Sequence, residues 1–307
     1  MNELELVERI RRRAAKARNL VLGIGDDCAI YQPAAGEQLL FTTDLLIEGV
    51  HFLRETHQPS DCGWKALARG LSDIAAMGGR PRFCLTSLAL PGWATTRWAE
   101  RFYDGLFELA RLQKTVLVGG DLARAETIVC DVVVCGSVPE GQALRRDGAR
   151  PGDAIYVSGL LGGSALGLAQ RRGPAFRRHL RPEPRLKLGI ALREKLKVTA
   201  AMDLSDGLSL DLHRLCVASG VAAELDGDLP LWPGATLDQA LHGGEDYELL
   251  FTLSSSTRPP RQLAGVPLTR IGTIVGGRPG VVRLGGRELP LAGFDHFRNP
   301  QKPAAGR

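Results

Sequence analysis

Gly23-Ile24-Gly25-Asp26-Asp27 is a glycine turn that ends in two adjacent carboxylates. Neighbouring acidic side chains repel each other, so a folded protein keeps such a pair mainly where a cation or a set of hydrogen-bond donors balances the charge. Glycine on both sides of Ile24 allows a tight turn and lets another group approach the backbone. Similar acidic ends recur at Thr42-Thr43-Asp44, Ser72-Asp73, Gly119-Gly120-Asp121 and Asp203-Leu204-Ser205-Asp206. This recurrence predicts that the acidic ends converge on one Mg²⁺–nucleotide site.

The composition is that of a globular protein. With 307 residues, of which 44% are hydrophobic and 24% charged, the chain can bury a sizeable core and can form two domains. The 39 basic and 34 acidic residues leave a net charge of only +5, which favours a solvated basic face over a nucleic-acid-binding one. The six cysteines include no Cys-x-x-Cys pair and are typical of reduced thiols in a cytosolic protein. No apolar stretch resembles a signal peptide or a membrane span, so we expect a cytoplasmic protein.

Helical and strand patterns alternate through the first part of the chain. Apolar residues at helical spacing predict helices over residues 3–18, from Pro59 onward and over 96–112. Apolar and β-branched runs predict strands over residues 39–43, 83–90, 116–118 and 127–135, the first of which leads to Asp44 at its end. Such alternation is typical of an α/β or α+β layered domain, which we expect to span residues 1–138.

A change to Gly, Pro and Arg over residues 139–153 predicts a linker to a second domain, residues 154–298. There we expect strands over 154–158 and 248–253, helices over 165–171, 184–196 and after Gly207, and a glycine-rich β region over 271–289. Residues 171–185 are basic and hold three prolines, which indicates an exposed loop. Residues 299–307 have the composition of a disordered tail.

The acidic residues are the ligand type that Mg²⁺ prefers, since this ion binds a few carboxylates together with the phosphates of a substrate. The candidates are Asp27, Asp44, Asp73, Asp121, Asp203 and Asp206, with the hydroxyls of Thr42 and Thr43 beside them. The glycine pairs expose backbone N–H groups that can approach phosphate oxygens. Arg145 and Arg146 in the predicted linker are of the residue type that pairs well with phosphate.

Ordinary structural roles compete with these functional ones. Asp206 would suit a helix N-terminus that has Ser205 as its N-cap. Asp73 would suit an i,i+4 ion pair with Arg69 on a solvated face. Other residues have equally ordinary alternatives: a turn residue for Asp121, a core histidine for His51, core aromatics for Phe294 and Phe297, and strand termination for Glu245 and Asp246. The phosphate loop, the protein-kinase motifs and Gly-x-Ser-x-Gly are missing from the sequence, so nucleotide chemistry would depend on acidic metal ligands.

Together the motifs resemble those of the thiamine-monophosphate kinase family. They are GIGDDCA (23–29), TTDLLIEGVHF (42–52), ALARGLSDIAAMGG (66–79), VGGD (118–121), RDGARPGD (146–153), MDLSDGLSLDL (202–212), GGEDYELLF (243–251) and GFDHF (293–297). They follow the family's order and cover nearly the whole chain. The resemblance implies the two-domain α/β fold of the ATP-dependent aminoimidazole ribonucleotide synthetase superfamily. This fold has an N-terminal mixed sheet with helices, a C-terminal α/β domain and a homodimer joined through the N-terminal sheets.

The resemblance also implies roles for particular residues. It places Mg²⁺ ligands at Asp27, Thr42, Thr43, Asp44, Asp73, Asp121, Asp203 and Asp206. It places ATP near Tyr103, Gly120, Asp121, Arg146 and Ser205, and thiamine phosphate near His51, Glu245 and Phe294. One departure is Gly162-Gly163-Ser164, where the family commonly has Gly-Asp-Ser, so we expect no carboxylate role at that position.

The family's reaction moves the γ-phosphoryl group of ATP onto thiamine phosphate and gives thiamine diphosphate. The acceptor oxygen is already anionic, so the reaction needs no strong general base. It needs several Mg²⁺ ions, because both substrates are polyanions that repel each other. Aminoimidazole ribonucleotide synthetase is the nearer alternative. A selenophosphate synthetase would carry a reactive cysteine near its N-terminus, and residues 1–20 contain no cysteine. The hydrogenase maturation dehydratase would carry a cysteine in its tail, and residues 302–307 contain none. A non-catalytic metal- or nucleic-acid-binding module is the alternative from another class, and binding through phosphates would weaken steeply with salt.

Overall fold

The computed structural model describes residues 3–24 and 28–294, which form two compact units. Unit 1 holds the described residues up to Ile74 together with Arg80–Gly141, and unit 2 holds Ala75–Gly79 and the described residues from Gln142 onward. Asp27 and the predicted tail 299–307 lie outside the described residues. The predicted linker, residues 139–153, remains a prediction.

Unit 1 is built on a four-stranded mixed sheet. Its elements are α1 (Glu3–Arg13), β1 (Leu20–Leu22), β2 (Ile30–Tyr31), β3 (Glu37–Ile47), α2 (Pro59–Ala76), β4 (Arg80–Leu90), α3 (Thr96–Gln113), β5 (Val116–Arg124) and β6 (Val129–Pro139). The strand order is β3-β6-β4-β5, and β1 and β2 form a separate pair. The β4–β5 pair is parallel because α3 crosses between the two strands, whereas β6 runs antiparallel to both of its neighbours.

One face of this sheet is covered by helices and the other is open. The apolar stripes predicted for α2 and α3 are buried, as Leu67, Leu71, Phe102 and Leu106 show. Strand residues alternate between the two faces, so Val132 is buried while Phe41 and Leu45 of β3 are 64% and 48% exposed. In the part of the chain that the structure describes, this face therefore exposes two large apolar side chains.

Unit 2 is built on a larger, mostly antiparallel sheet. Its elements are β7 (Ala154–Ser158), α4 (Gly163–Gln170), α5 (Gly173–Leu180), α6 (Leu186–Lys195), β8 (Val198–Asp203), α7 (Leu208–Ser219), β9 (Ala222–Leu225), α8 (Leu237–His242), β10 (Leu249–Leu253), β11 (Gln262–Leu263), β12 (Val266–Val275), β13 (Val282–Leu284) and β14 (Arg287–Glu288). The strand order is β14-β13-β9-β12-β7-β10-β8, with β11 paired to β12. The central strands β7 and β10 are buried throughout. The two mixed α/β units confirm the predicted fold class.

Two predicted elements were wrong. The first helix ends at Arg13 and not at residue 18, and Arg13 binds Asp104 at 2.6 Å and lies over the Phe107 ring of α3. The segment 171–185, predicted as an exposed loop, contains α5. Pro174 stands in the first turn of α5, where a missing N–H is harmless, and Pro182 follows its end. The prolines therefore bound a helix there.

None of the described helices is long and apolar enough to cross a membrane.

Candidate functional site

The first polar cluster lies between β3 and α2 of unit 1. Alternation along β3 puts Thr42 and Asp44 on the same side as the buried Leu46. Thr42 Oγ1 donates a hydrogen bond to Asp73 of α2. Arg69, one helical turn before Asp73, donates to Asp44 Oδ1 at 3.1 Å. The structure thus brings three predicted ligand residues together with a guanidinium group.

A second polar cluster lies on the open face of the same sheet. Thr43 Oγ1 donates to Asp131 Oδ1, a residue that the sequence reasoning missed. Asp131 is in register with Ser87 of β4, and Ser87 is in register with Asp121 of β5. Thr43 and Asp121 therefore lie on the face opposite Thr42. The one available signal for Asp131 was a single acidic residue inside a valine-rich strand.

The acidic residues of β3 and β5 do not end their strands as predicted. β3 pairs with β6 without interruption up to Ile47, beyond Asp44, and β5 continues beyond Asp121. Gly120 has a φ of 153°, and a β-carbon there would lie 2.0 Å from Thr86 O. The glycines of VGGD therefore permit a close approach of two strands, and the prediction of a glycine turn was wrong.

His51 follows β3, and its position is fixed from two sides. The Ile47 backbone N–H donates to His51 Nδ1 at 3.0 Å. Lys65 of α2 is fully buried, and its Nζ donates to the His51 carbonyl at 3.2 Å. The histidine is thus held by a buried cation through its main chain.

Tyr103 lies on α3 and is buried. Burial raises the pKa of its phenol well above the usual range. With Leu6 and Ile10 of α1, it lines a cavity of about 520 Å³. Charged side chains from both helices complete the lining, namely Arg9, Arg12, Arg13, Arg97, Glu100, Arg101 and Asp104. Arg9 binds Glu100 and Arg13 binds Asp104, so the cavity offers an apolar floor and a rim of mixed charge.

Two loops of unit 2 run side by side, and together they carry Ser205 and Glu245. The Glu245 backbone N–H donates to Ser205 O at 2.8 Å. The Tyr247 N–H donates to Leu204 O at 2.9 Å. Glu245 and Tyr247 both have positive φ, at 66° and 49°. Left-handed backbone is uncommon outside glycine and persists where the surroundings enforce it.

Phe294 and two aspartates join the same region. The Phe294 N–H donates to Asp206 O at 3.0 Å. Asp203 is the last residue of β8 and is buried. The structure therefore gathers Asp203, Ser205, Asp206, Glu245 and Phe294, all of which were predicted from the family resemblance.

Asp211 of α7 holds this loop in place. Its Oδ2 accepts the backbone N–H groups of Ser205, Asp206 and Gly207 at 3.0–3.1 Å. Arg214 bridges Asp206 and Asp211. Burial and the nearby Asp206 carboxylate raise the pKa of Asp211 to about 7, although the three N–H groups oppose this shift. The alternative of Ser205 as N-cap was wrong, because α7 begins at Leu208.

Arg146, predicted near ATP, has an exposed side chain. Its carbonyl accepts a hydrogen bond from Ser219 Oγ at 2.8 Å. The neighbouring Arg145 binds Asp147. The segment is therefore fixed through its main chain while the Arg146 guanidinium faces solvent.

A buried ion network lies behind the Glu245 loop, and sequence reasoning missed its basic partners. Glu248 is 1% exposed. It accepts from Arg178 at 2.6 Å and from Arg185 at 2.5 and 2.8 Å. Ser158 Oγ donates to it at 2.6 Å. Both arginines belong to the segment 171–185, which was predicted to be an exposed loop. The basic, proline-containing composition of that segment gave no signal that they are buried.

The departure at Gly163 has a structural explanation. A β-carbon on Gly163 would lie 2.9 Å from the Trp232 ring. Asp246 instead supplies a carboxylate to the start of α4, where it accepts the Gly162 N–H at 2.6 Å and the Ser164 N–H at 3.0 Å. Burial raises the pKa of Asp246 to about 6. The expectation of no carboxylate role at Gly163 therefore has a steric basis.

The donor set fits magnesium in chemical type. Carboxylate and hydroxyl oxygens lie together at Thr42, Asp44 and Asp73, and these are the hard ligands that Mg²⁺ prefers. Among residues 3–24 and 28–294 no three acidic, histidine or cysteine side chains are close enough to hold a metal ion together. Asp27 lies outside this range.

The chain matches two family models. One is AIR synthase related protein, N-terminal domain, over residues 25–138, and the other is AIR synthase related protein, C-terminal domain, over residues 150–258. Among curated proteins, thiamine-monophosphate kinase of Escherichia coli K12 is 40% identical and aligns over 97% of this chain and 99% of its own. The Bacillus subtilis enzyme is 37% identical over 89% of this chain and 91% of its own.

Solved structures agree with these matches. Thiamine-monophosphate kinase from Stenotrophomonas maltophilia superposes with a TM-score of 0.84 at 41% identity and covers 94% of this chain and 98% of its own. AaThiL complexed with AMPPCP and TMP has a TM-score of 0.79 at 35% identity, covering 96% and 97%. Hydrogenase maturation protein HypE, at 19% identity, shares the fold alone. The sequence-based resemblance is thereby confirmed, and the chain belongs to the thiamine-monophosphate kinase family.

Proposed function

We propose that the chain transfers the γ-phosphoryl group of ATP to the phosphate of thiamine phosphate, giving thiamine diphosphate and ADP. The observation that carries this proposal is the near-complete alignment with curated thiamine-monophosphate kinases. The solved relative named as a complex with AMPPCP and TMP supports an ATP-like donor and a TMP acceptor. For aminoimidazole ribonucleotide synthetase chemistry, the runner-up from the sequence, the AIR synthase related models indicate the shared superfamily, whereas the curated relatives that align over nearly the whole chain are thiamine-monophosphate kinases.

Magnesium is proposed as the cofactor, with several ions per site. The residues that would hold it are Asp27, Thr42, Thr43, Asp44, Asp73, Asp121, Asp203 and Asp206. Thr42, Asp44 and Asp73 lie on the helix-covered side of the unit 1 sheet, and Thr43 and Asp121 lie on its other face. When bound, the ions would neutralise charge on the transferred phosphoryl group. Asp44 contacts the guanidinium group of Arg69 and Asp206 that of Arg214, so each carboxylate would share its oxygens between an arginine and the metal. The grouping of oxygen ligands at Thr42, Asp44 and Asp73 supports the proposal.

ATP is proposed to lie near Tyr103, Gly120, Asp121, Arg146 and Ser205. The cavity at Tyr103 supports this, since its apolar floor suits a purine base.

Thiamine phosphate is proposed to contact His51, Glu245 and Phe294. The Glu245 carboxylate complements the positive charge of a thiazolium ring, and the Phe294 ring can stack on an aromatic ring. No general base is needed because the acceptor phosphate oxygen is already anionic. The residues therefore act by binding and orienting the two substrates.

Turnover of purified protein with ATP, MgCl₂ and thiamine phosphate tests the proposal, with thiamine diphosphate followed by chromatography. We expect product that depends on Mg²⁺ and is abolished by EDTA. Asp44→Asn should lose most of this activity and keep its circular dichroism spectrum, whereas Asp226→Asn, which removes an exposed partner of Arg270, should stay active. Absence of product with ATP still bound would refute the assigned acceptor, and normal turnover of Asp44→Asn would remove Asp44 from the site.

We also propose that the chain acts as a homodimer in the cytoplasm. The exposed Phe41 and Leu45 on the open sheet face support association, since large uncovered apolar patches mark interaction sites. The free cysteines support a reducing compartment. Phe41→Asp should shift the sedimentation mass from dimer to monomer, while Leu168→Asp, at an exposed leucine of α4, should not. A wild-type monomer would refute the dimer.

A further inference from the structure

The helix α5, which the predicted activity does not use, packs against the loop that carries Glu245. It is anchored on α4, because a β-carbon on Gly167 would lie 2.3 Å from Ala175 O. This close approach fixes α5 as a rigid support. Its last turn carries Arg178 and His179, whose side chains are only 10% and 2% exposed. Two polar residues buried at the end of a short helix need partners.

Arg178 binds the main chain of the loop. Its Nη2 donates to the Asp246 carbonyl at 2.8 Å and to Glu248 Oε1 at 2.6 Å. The Asp246 carboxylate is held in turn by the start of α4. These contacts hold the main chain of the loop next to Glu245, whose backbone has a positive φ of 66°.

His179 reaches that side chain. Its Nδ1 lies 3.4 Å from Glu245 Oε2 and 2.9 Å from Ser164 Oγ. The Phe176 ring stacks nearly parallel to the imidazole, at 6.1 Å between centroids. Phe176 therefore packs on the face of the imidazole and Ser164 bonds to its edge. The Glu245 side chain, by contrast, is 23% exposed. A fixed group beside a partly exposed one can set the orientation of the exposed group.

We propose that His179 is a positioning residue, which orients the Glu245 carboxylate for the cationic ring of a phosphorylated thiazolium substrate. This inference rests on the proposed function. His179 touches neither substrate and acts through Glu245 alone, so its loss should weaken binding of thiamine phosphate and leave ATP binding unchanged. Ser164 shares the imidazole nitrogen and keeps the ring from turning away.

The test compares steady-state kinetics of His179→Leu and His179→Asn with wild type. His179→Leu should raise the KM for thiamine phosphate by roughly tenfold, because the Glu245 carboxylate loses its contact with the imidazole, with kcat and the KM for ATP within about twofold. His179→Asn keeps a side-chain amide near the position of Nδ1 and should recover most of the loss. His213→Leu is the matched control, because His213 is a half-buried histidine whose Nδ1 bonds to Gly280 O, outside the network.

A double-mutant cycle with Glu245→Gln decides whether His179 acts through Glu245. In that background His179→Leu should change the KM for thiamine phosphate by less than about twofold. If the two substitutions raise the KM for thiamine phosphate independently, so that their fold-changes multiply in the double variant, the inference is overturned. An unchanged KM for thiamine phosphate in His179→Leu overturns it as well. Should the leucine variant fail to fold by circular dichroism, the same cycle with His179→Ala, which also removes the imidazole, decides by the same criterion. A wild-type chain that makes no thiamine diphosphate refutes the proposed function itself, before any variant is compared.

Discussion

Replacing Glu248 by glutamine tests how strongly the buried ion network of unit 2 depends on its shared carboxylate. Glu248 is almost inaccessible, and it binds Arg178, Arg185 and Ser158. The two guanidinium groups are only 10% and 13% exposed. Glutamine keeps the shape of the side chain but removes the negative charge, so two buried cations would lose their shared counter-ion.

The expected cost follows from burial. Removing one partner of a buried ion pair typically destabilises a protein by about 3–5 kcal/mol, because a charge is left uncompensated. The carbonyl oxygen of the introduced glutamine can still accept a hydrogen bond from Ser158. We therefore expect the free energy of unfolding to fall by about 3 kcal/mol in Glu248→Gln. The matched control is Asp226→Asn, which breaks the Arg270–Asp226 pair at 45% and 42% exposure. An exposed pair is worth roughly 0–1 kcal/mol.

Urea unfolding followed by far-UV circular dichroism measures both variants. The free energy of unfolding should fall by at least about 2 kcal/mol more in Glu248→Gln than in Asp226→Asn. Equal losses in the two variants would refute the reasoning, because they would show that the buried carboxylate contributes no more than a surface one. A stable Glu248→Gln would mean that the guanidinium groups find water or other acceptors without cost.

Three further outcomes follow from single positions. A β-carbon at Gly244 would lie 2.7 Å from Ser205 O, so Gly244→Ala should raise the KM for thiamine phosphate several-fold. The control is Gly276→Ala, whose β-carbon projects into open space and should leave this KM unchanged. Burial raises the pKa of Asp246 from 3.8 to about 6, so the folded chain retains a proton that the unfolded chain releases. In urea titrations the stability of wild type relative to Asp246→Asn should fall by up to about 3 kcal/mol as pH rises from about 4 to 6, and a flat difference contradicts the shift. Cys28 is exposed and the other five cysteines are buried. Ellman's reagent should therefore modify one thiol rapidly in the native chain and six after denaturation. Rapid modification of several thiols in the native chain would contradict the packing.

Local sequence patterns predicted most helices and strands but not where the strands end. The run Val116-Leu117-Val118 predicts a strand correctly, yet Gly119 and Gly120 suggest a turn by composition. The turn does not form, because β5 pairs with β4 up to Arg124 and Gly120 fits against Thr86. That pairing joins residues more than thirty positions apart and leaves no local trace. Non-local pairing therefore explains why Asp121 lies within a strand.

The supporting residues were harder to predict than the proposed ligands. Ligand candidates stand in motifs, whereas Asp131 is a single acidic residue inside a strand. Asp211 belongs to the motif MDLSDGLSLDL, but the motif alone did not distinguish it as the residue that holds the loop. Their partners, Thr43 and the N–H groups of residues 205–207, are set by tertiary packing. Arg178 stands in a basic, proline-containing segment whose composition is typical of an exposed loop. Only the fold shows which of these groups has a buried partner.

The segment Gly243–Glu248 shows why an acidic motif cannot be read as one function. Its three carboxylates occupy different surroundings within four residues. Glu248 is buried against two arginines, Asp246 accepts backbone N–H groups at the start of α4, and Glu245 remains partly exposed beside His179. Only the last has a side chain that can both reach a ligand and be oriented by a neighbour. The positive φ of Glu245 is consistent with this division, because strain of this kind persists where the surrounding contacts determine the conformation. Substrate recognition by this loop should therefore respond to changes at Glu245 and His179, whereas changes at Glu248 should act on stability.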